Sequence, residues 1–313
     1  MSKTVKKILN FISFAKLYFL VGNTRIAKHI AKEGLEFVRK GKDCIWFPDL
    51  NIILDIKKHF DILKCIRLVS QLQRKTNCEF KQTSNGVCIA VIQGCEFNIN
   101  TSEEIVLLSE IFLDHSYDIA LPYKSIVLDV GMNNADSSLY FASKKNVEFV
   151  RGYEPFRPTF EAARRNLDLN PGLAAIIEPY NYGLSGREAE LECDYSAKNT
   201  AGVGLSGILG AKSNIVKEKI KIKSVVHEIV RAGQDFPDHS IVLKVDTEGS
   251  EFEMIECLDR EKVLEKIDIV ILEWHKKSPQ VIIEALLKSG FAVFRRNNLN
   301  GYTGMLYAFS QRR

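Results

Sequence analysis

The sequence predicts a doubly wound α/β sheet over residues 116–313, with an accessory region of helices and a β-hairpin over residues 1–115. Two observations carry the prediction. From Ser125 onward, short β-branched runs alternate with stretches whose apolar residues recur every three or four positions, the pattern of parallel strands joined by helices. Four of those runs end in acidic or other polar residues, where an open α/β sheet places its ligands. Composition agrees: 313 residues, 46% hydrophobic and 26% charged, suit a globular chain with one large domain and room for a smaller companion.

In the accessory region, Ile8 to Val21 is rich in Phe, Leu and Ile and follows Lys3, Lys6 and Lys7. Lys16 interrupts it and it is too short to span a bilayer, so neither a transmembrane segment nor a signal peptide is expected. It reads as a basic helix in peripheral contact with a membrane or, more simply, as a helix packed on the body or on a second subunit of a homo-oligomer. Asn23 to Arg39 and Leu54 to Arg74 are expected to be helical, with Ile62, Cys65, Ile66, Val69 and Leu72 on one face. Phe80 to Ile99 switches to a period of two and turns at Gln93-Gly94, which predicts a hairpin. Ser102 is expected to cap a helix over Glu103 to Leu113. No chemistry is visible in this region.

In the main sheet, Ile126 to Val130 reads as the first strand and Gly131 as the tight turn after it, with Asp129 at the strand's carboxyl end. The turn lacks the G-x-G-x-x-G that lets a backbone crowd a pyrophosphate, which disfavours a nicotinamide dinucleotide. Asp136 at the mouth of the next helix would repel a phosphate. A ligand with an ammonium and no phosphate would instead suit Asp129 and Asn133. S-adenosylmethionine (SAM) is such a ligand. The second strand, Val147 to Tyr153, ends at Glu154-Pro155, and Glu154 lies 25 positions beyond Asp129. There a nucleotide-binding sheet places the acid that accepts both ribose hydroxyls. A third strand, Ala175 to Tyr180, precedes the turn Asn181-Tyr182-Gly183-Leu184-Ser185, whose backbone could edge an adenine.

Glu190 to Tyr195 and Lys217 to Lys223 alternate as further strands, the latter as an exposed edge. Between them Ser196 to Asn214 is a loose glycine-rich loop, a candidate lid or binding segment. The fourth strand, Ser240 to Val245, holds Lys244 in an apolar run, which suggests a paired cation, and leads to Asp246-Thr247-Glu248-Gly249-Ser250-Glu251. The fifth, Ile267 to Leu272, ends in Glu273-Trp274-His275. A helix from Ser278-Pro279 to Gly290 and a terminal hairpin, Phe291 to Phe294 with Leu306 to Phe309, complete the domain.

Other features exclude function classes. A formal charge of +4 is too small and too scattered for a nucleic-acid surface. Seven cysteines without a C-x-x-C pair point to reduced thiols in the cytoplasm.

Asp129-Val-Gly131-Met-Asn133, Glu154-Pro155, Lys244-Val-Asp246-Thr-Glu248-Gly249-Ser250-Glu251 and Glu273-Trp274-His275 resemble the motifs of the FkbM family of SAM-dependent methyltransferases. The resemblance covers about residues 100 to 290 and implies a Rossmann-like sheet of the class I methyltransferase type. It implies SAM held by Asp129, Gly131, Asn133, Ser137, Glu154, Pro155 and Leu184, and a methyl group passed to a hydroxyl of a sugar, nucleotide-activated or in a glycan, or of a related small molecule. His275 is the candidate base, Asp246 the rival base or its orienter, and Lys244 a group that keeps Asp246 ionised or stabilises the alkoxide. A metal is not required; if one binds, Mg²⁺ on Asp246, Glu248 and Glu273 is the expected arrangement. Tyr182, Tyr195, Trp274 and Tyr302 are candidates for stacking on the acceptor.

Ala135 stands where the family usually has a second glycine, so a fold that has lost catalysis and kept only binding is one alternative. A glycosyltransferase is another, since Asp246-Thr-Glu248 resembles its D-x-D, but that reading leaves Asp129-x-Gly131 and Glu154 unexplained. A base-methylating enzyme of nucleic acids is disfavoured because no N-P-P-Y-type loop follows the fourth strand.

Overall fold

A computed structural model of the chain describes residues 15, 16, 18–84, 86–196, 203, 204, 207, 208, 215–297 and 303–312. Most of Ile8 to Val21, the body of the Ser196 to Asn214 loop and Tyr302 lie outside the described residues. The chain divides into two compact units, Met1–His115 and Ser116–Arg313.

The first unit holds helix α1 (Thr24–Glu33), strands β1 (Val38–Lys40), β2 (Cys44–Phe47) and β3 (Ile52–Asp55), and helices α2 (Phe60–Lys64) and α3 (Ile66–Thr76). Strands β4 (Glu79–Gln82), β5 (Cys88–Ile92) and β6 (Cys95–Ile99) and helix α4 (Ser102–Phe112) follow. Ile62, Ile66, Val69 and Leu72 are buried, but the stretch from Leu54 is not one helix: Leu54 lies in β3, and the helix breaks at Cys65, which is half-buried. Two further expectations are corrected. The stretch expected to be helical to Arg39 stops at Gly34, whose φ of 66° ends α1, and the segment after it forms an antiparallel sheet in the order β1-β2-β3. Strands of three or four residues are too short to show a period of two. The cap of α4 is Thr101, not Ser102: Thr101 and Glu104 make a reciprocal capping box. The Gln93-Gly94 turn is present between β5 and β6, with φ of 50° and 84°.

The second unit is built on strands β7 (Ser125–Val130), β8 (Val147–Tyr153) and β9 (Ile177–Tyr180), with helices α5 (Asp136–Ala142), α6 (Arg157–Leu169) and α7 (Pro171–Ala174) between them. Strands β10 (Gly183–Ser185), β11 (Ala189–Tyr195), the two-residue β12 (Val203–Gly204) and β13 (Gly207–Ile208), and β14 (Val216–Ser224) come next. Helix α8 (Val225–Asp235), β15 (Ser240–Val245), α9 (Glu251–Arg260), β16 (Ile269–His275), α10 (Gln280–Lys288), β17 (Phe291–Asn297) and β18 (Thr303–Ser310) close the chain.

The central sheet runs β17-β18-β16-β15-β7-β8-β9. Neighbours from β16 through β9 are parallel, and β18 inserts antiparallel between β16 and β17. It is a Rossmann-like, doubly wound sheet. From β7 the chain winds outward to β8 and β9, then crosses back to β15 on the other side, so the strand order reverses between β7 and β15. That reversal opens a crevice at their carboxyl ends.

All six residues of β7 and all six of β15 are buried, because helices cover both faces. Ile126, Leu128, Val130, Ile241, Leu243 and Val245 share a core with α8, α9 and α10 through Val225, Ile229, Met254, Ile255, Ile282 and Leu286. The opposite face carries the unusual pair: Asp129 and Lys244 are Cα partners in adjacent strands. The strand of alternating Lys and Ile is not an edge. It is the centre of a small sheet, β10-β14-β11, with Ile220 and Ile222 buried beneath Phe156 and Tyr195.

Candidate active site

The turn after β7 is shaped by three left-handed residues, Gly131, Asn133 and Ala135, with φ of 81°, 50° and 69°. At Gly131 a glycine is obligatory for a second reason, since a Cβ there would stand 1.9 Å from the Asp246 carbonyl oxygen. At Ala135 the chain accepts the left-handed conformation with a methyl group that is fully buried. The turn of the loop is therefore kept without the second glycine.

Asp129 does not face an open ligand space. It is fully buried; Oδ2 accepts from Ser137 Oγ at 2.7 Å and Ser138 Oγ at 2.6 Å, and Oδ1 lies 3.0 Å from Lys244 Nζ. Lys244, 1% exposed, also donates to the Gly131 carbonyl at 2.7 Å. Burial would push the lysine's pKa down, but Asp129 and Asp246 more than offset it and hold it above the usual value. Asp129, Ser137 and Lys244 thus form an internal strut that fixes the loop. The ammonium-binding role assigned to Asp129 and the alkoxide role weighed for Lys244 have no open face to act through.

Glu154, at the end of β8, is 6% exposed and accepts the Phe156 N–H at 3.0 Å. Burial pushes its carboxyl up to about 8, against the opposing pull of the Phe156 and Asn133 backbone N–H groups. Asn181 Nδ2 donates to the carbonyls of Glu154 and Pro155 at 3.0 and 3.2 Å, and a Cβ on Gly183 would touch Pro155 at 3.3 Å. Asn133, Glu154, Pro155 and the backbone leading into Leu184, 2% exposed, are thereby drawn together on one side of the crevice.

The other side carries the carboxylates. Among the described residues, Asp246, Glu273 and His275 bring potential metal-binding atoms within 4.8 Å of one another. His275 is 4% exposed. Its backbone N–H donates to Glu251 Oε1 at 2.8 Å and its Nδ1 lies 3.3 Å from the same oxygen, while Nε2 is 3.5 Å from Glu248 and 3.9 Å from Glu273. Burial alone would lower the imidazole's pKa, but Glu251, Asp246 and Glu248 raise it to about 9. His275 is accordingly an imidazolium at neutral pH. Glu248 has a left-handed backbone, φ 56°, and burial raises its carboxyl to about 7 despite the nearby imidazolium.

Two site residues were given no role from the sequence. Glu251 is fully buried and ties the loop after β15 to β16: besides His275, it accepts from the Gly249 N–H at 2.7 Å and Thr247 Oγ1 at 3.3 Å. Its signal was its place as the last acid of the Lys244–Glu251 segment. Tyr117, 8% exposed, places its hydroxyl 3.4 Å from Asp246 Oδ2 and its ring 5.5 Å from Lys244 Nζ. No local pattern marked it. The aromatic candidates for stacking are core instead: Tyr195 stacks on Phe156, Tyr182 donates to Glu228 Oε1 at 3.1 Å, and Trp274 is 2% exposed.

A crevice between β7 and β15, with an acid at the end of β8 and carboxylates beyond it, is a ligand site of the kind Rossmann-like sheets build, and the family match makes its class that of the methyltransferases. The chain belongs to the FkbM methyltransferase family, whose domain matches residues 129–293. It is similar to Methyltransferase sdnD of Sordaria araneosa, 27% identical over 64% of this chain and 86% of that protein. It is also similar to Methyltransferase 1 of Beauveria bassiana, 30% identical over 59% of this chain and 79% of that one. A solved structure of methyltransferase FkbM from Methylobacillus flagellatus KT aligns with 96% of this chain and 59% of its own length, at 12% identity and a TM-score of 0.42.

Proposed function

We propose that the protein is a SAM-dependent O-methyltransferase acting on a hydroxyl of a sugar, nucleotide-activated or within a glycan, or of a related small molecule. The observation that carries the reading is the pairing of Glu154 with the left-handed turn of residues 131–135 at the switch point. The residues fit SAM. Glu154 offers a carboxylate suited to vicinal ribose hydroxyls, with Pro155 next to it in sequence and Leu184 packed in the core behind. The loop is held by Asp129, Ser137 and Lys244. When bound, SAM supplies a methyl group on a sulfonium, transferable by in-line displacement.

The chain's own contribution is positioning and proton removal. Asp246, half-buried at the end of β15, is the carboxylate we assign to take the hydroxyl proton. Tyr117 engages its Oδ2 and leaves Oδ1 for the acceptor. His275 is held protonated by Glu251, which favours Asp246 over it as base. Asp246, Glu248 and Glu273 give a hydroxyl-rich acceptor several hydrogen-bond acceptors. All seven cysteines are free, which fits a reducing cytoplasm, and among the described residues no helix is long and apolar enough to cross a membrane.

Incubation with SAM and a panel of nucleotide sugars and oligosaccharides, followed by mass spectrometry, tests the proposal. A methyl gain on a hydroxyl oxygen is expected, abolished in Asp246→Asn. A methyl gain on nitrogen or carbon alone, or glycosyl transfer without SAM, would contradict it.

A further inference from the structure

Three side chains on the carboxylate side of the crevice form a set that methyl-donor binding does not use. Asp246 follows β15, Glu273 and His275 end β16, and one ligand-type atom from each lies within 4.8 Å of the other two. The imidazole is oriented from behind. Glu251, fully buried, takes Nδ1 at 3.3 Å, so Nε2 faces the cluster. The carboxylate oxygens nearest to Nε2, on Glu248 at 3.5 Å and Glu273 at 3.9 Å, both lie beyond an ordinary hydrogen bond. The His275 side chain is 4% exposed, so this nitrogen sits among the carboxylates and away from bulk water. Asp246 is braced in turn by Tyr117 Oη at 3.4 Å. An imidazole resting on a buried carboxylate is the outer-shell pattern that orients metal ligands.

We propose that Asp246, Glu273 and His275 bind one divalent first-row transition cation, for which Mn²⁺ is the representative ion. The ligand set chooses the class. An imidazole nitrogen favours a transition ion over Mg²⁺, and two carboxylates suit Mn²⁺ better than ions that select thiolates. Ligands about 2.1 Å from a shared ion stand at most about 4.2 Å apart, so the half-buried Asp246 and Glu273 side chains have only to rotate inward. Charge favours the same outcome, with the ion displacing the Nε2 proton that the surrounding acids otherwise retain. Asp246, Glu248, Glu251 and Glu273 converge on one imidazole, Lys276 acts on Glu248, and Lys244 is held by Asp129 and Gly131. His275 replaces Glu248 in the set expected from the sequence. Three protein ligands leave positions for acceptor oxygens; with an ion bound, Asp246 would serve as a ligand, and the ion, by orienting and acidifying the hydroxyl, would take over the activation assigned to Asp246 as base. That role rests on the proposed O-methylation; the binding itself does not.

The test uses the full chain, stripped with EDTA and titrated with MnCl₂, with binding followed as loss of the free Mn²⁺ electron paramagnetic resonance signal. One ion per chain is expected, weakened about 10–100-fold in Glu273→Gln and in His275→Ala. Glu190→Gln, on a side chain 81% exposed in the small sheet, should bind as the parent does. Melting curves identify the variants that fold, and the conservative Glu273→Gln keeps the test decisive if His275→Ala does not. Binding that survives both substitutions in folded protein, or no saturable binding up to about 1 mM MnCl₂, overturns the proposal. SAM titrated into the stripped protein separates the two readings. SAM binding without Mn²⁺ binding removes the metal and keeps the donor crevice, and Mn²⁺ binding without SAM binding does the reverse.

Discussion

Glu154 is the residue on which the donor side turns, and burial gives it a testable signature. Its carboxyl is raised to about 8, so the free protein carries it protonated at neutral pH. Accepting from two ribose hydroxyls favours the ionised form. SAM binding should therefore release a proton below about pH 8, and affinity should rise from about pH 6 to 8 and level off above. Calorimetry in buffers of different ionisation enthalpy measures that proton, and Glu154→Gln should abolish both the release and the pH dependence. Ala135 carries a second prediction. A left-handed alanine costs about 1–2 kcal/mol, whereas glycine adds about 0.4–1 kcal/mol of unfolded-state entropy. Losing the buried methyl costs a further ~0.8 kcal/mol. Ala135→Gly should thus leave stability within about 1 kcal/mol of the parent in urea unfolding, and a larger loss would mean that the methyl's packing outweighs the strain. Glu154 and Ala135 were both legible in the sequence, because one ends a strand and the other occupies a loop position that asks for glycine. Tyr117 was not, since its link to Asp246 is set by tertiary packing across 129 positions.

At the scale of elements, the strands were read well where they are long and buried on both faces. Val147–Tyr153 and Ser240–Val245 coincide with β8 and β15; β15 is buried throughout and β8 over its last four residues, where helices on each side favour buried side chains. The short strands β1, β2 and β3 were missed. The directions of polar side chains were also illegible: Asp129 and Lys244 look like ligand groups until the register pairs them across β7 and β15. That pair makes a prediction about the sheet. Lys244→Met leaves a buried carboxylate without its cation and should cost about 3–5 kcal/mol in unfolding free energy. The double variant Lys244→Met, Asp129→Leu should recover much of the loss. Equal stability of the single variant and the parent would mean that the strut does not hold the loop.

The whole molecule is two compact units, and the sheet, both sides of the crevice and the family match all fall within Ser116–Arg313. We propose that these residues form the methyltransferase domain and that residues 1–115 are accessory to it. Residues 116–313 expressed alone should then unfold cooperatively and bind SAM; an aggregated or molten fragment would assign the first unit a structural role. The central claim, that the switch-point crevice holds a methyl donor through Glu154, meets its most direct test in calorimetric titration of the full chain with SAM at about pH 8. One site per chain is predicted, weakened in folded Glu154→Ala by about 1.5–3 kcal/mol, the worth of hydrogen bonds to a charged group. No binding heat in the parent at millimolar SAM, or unchanged affinity in Glu154→Ala, would contradict it.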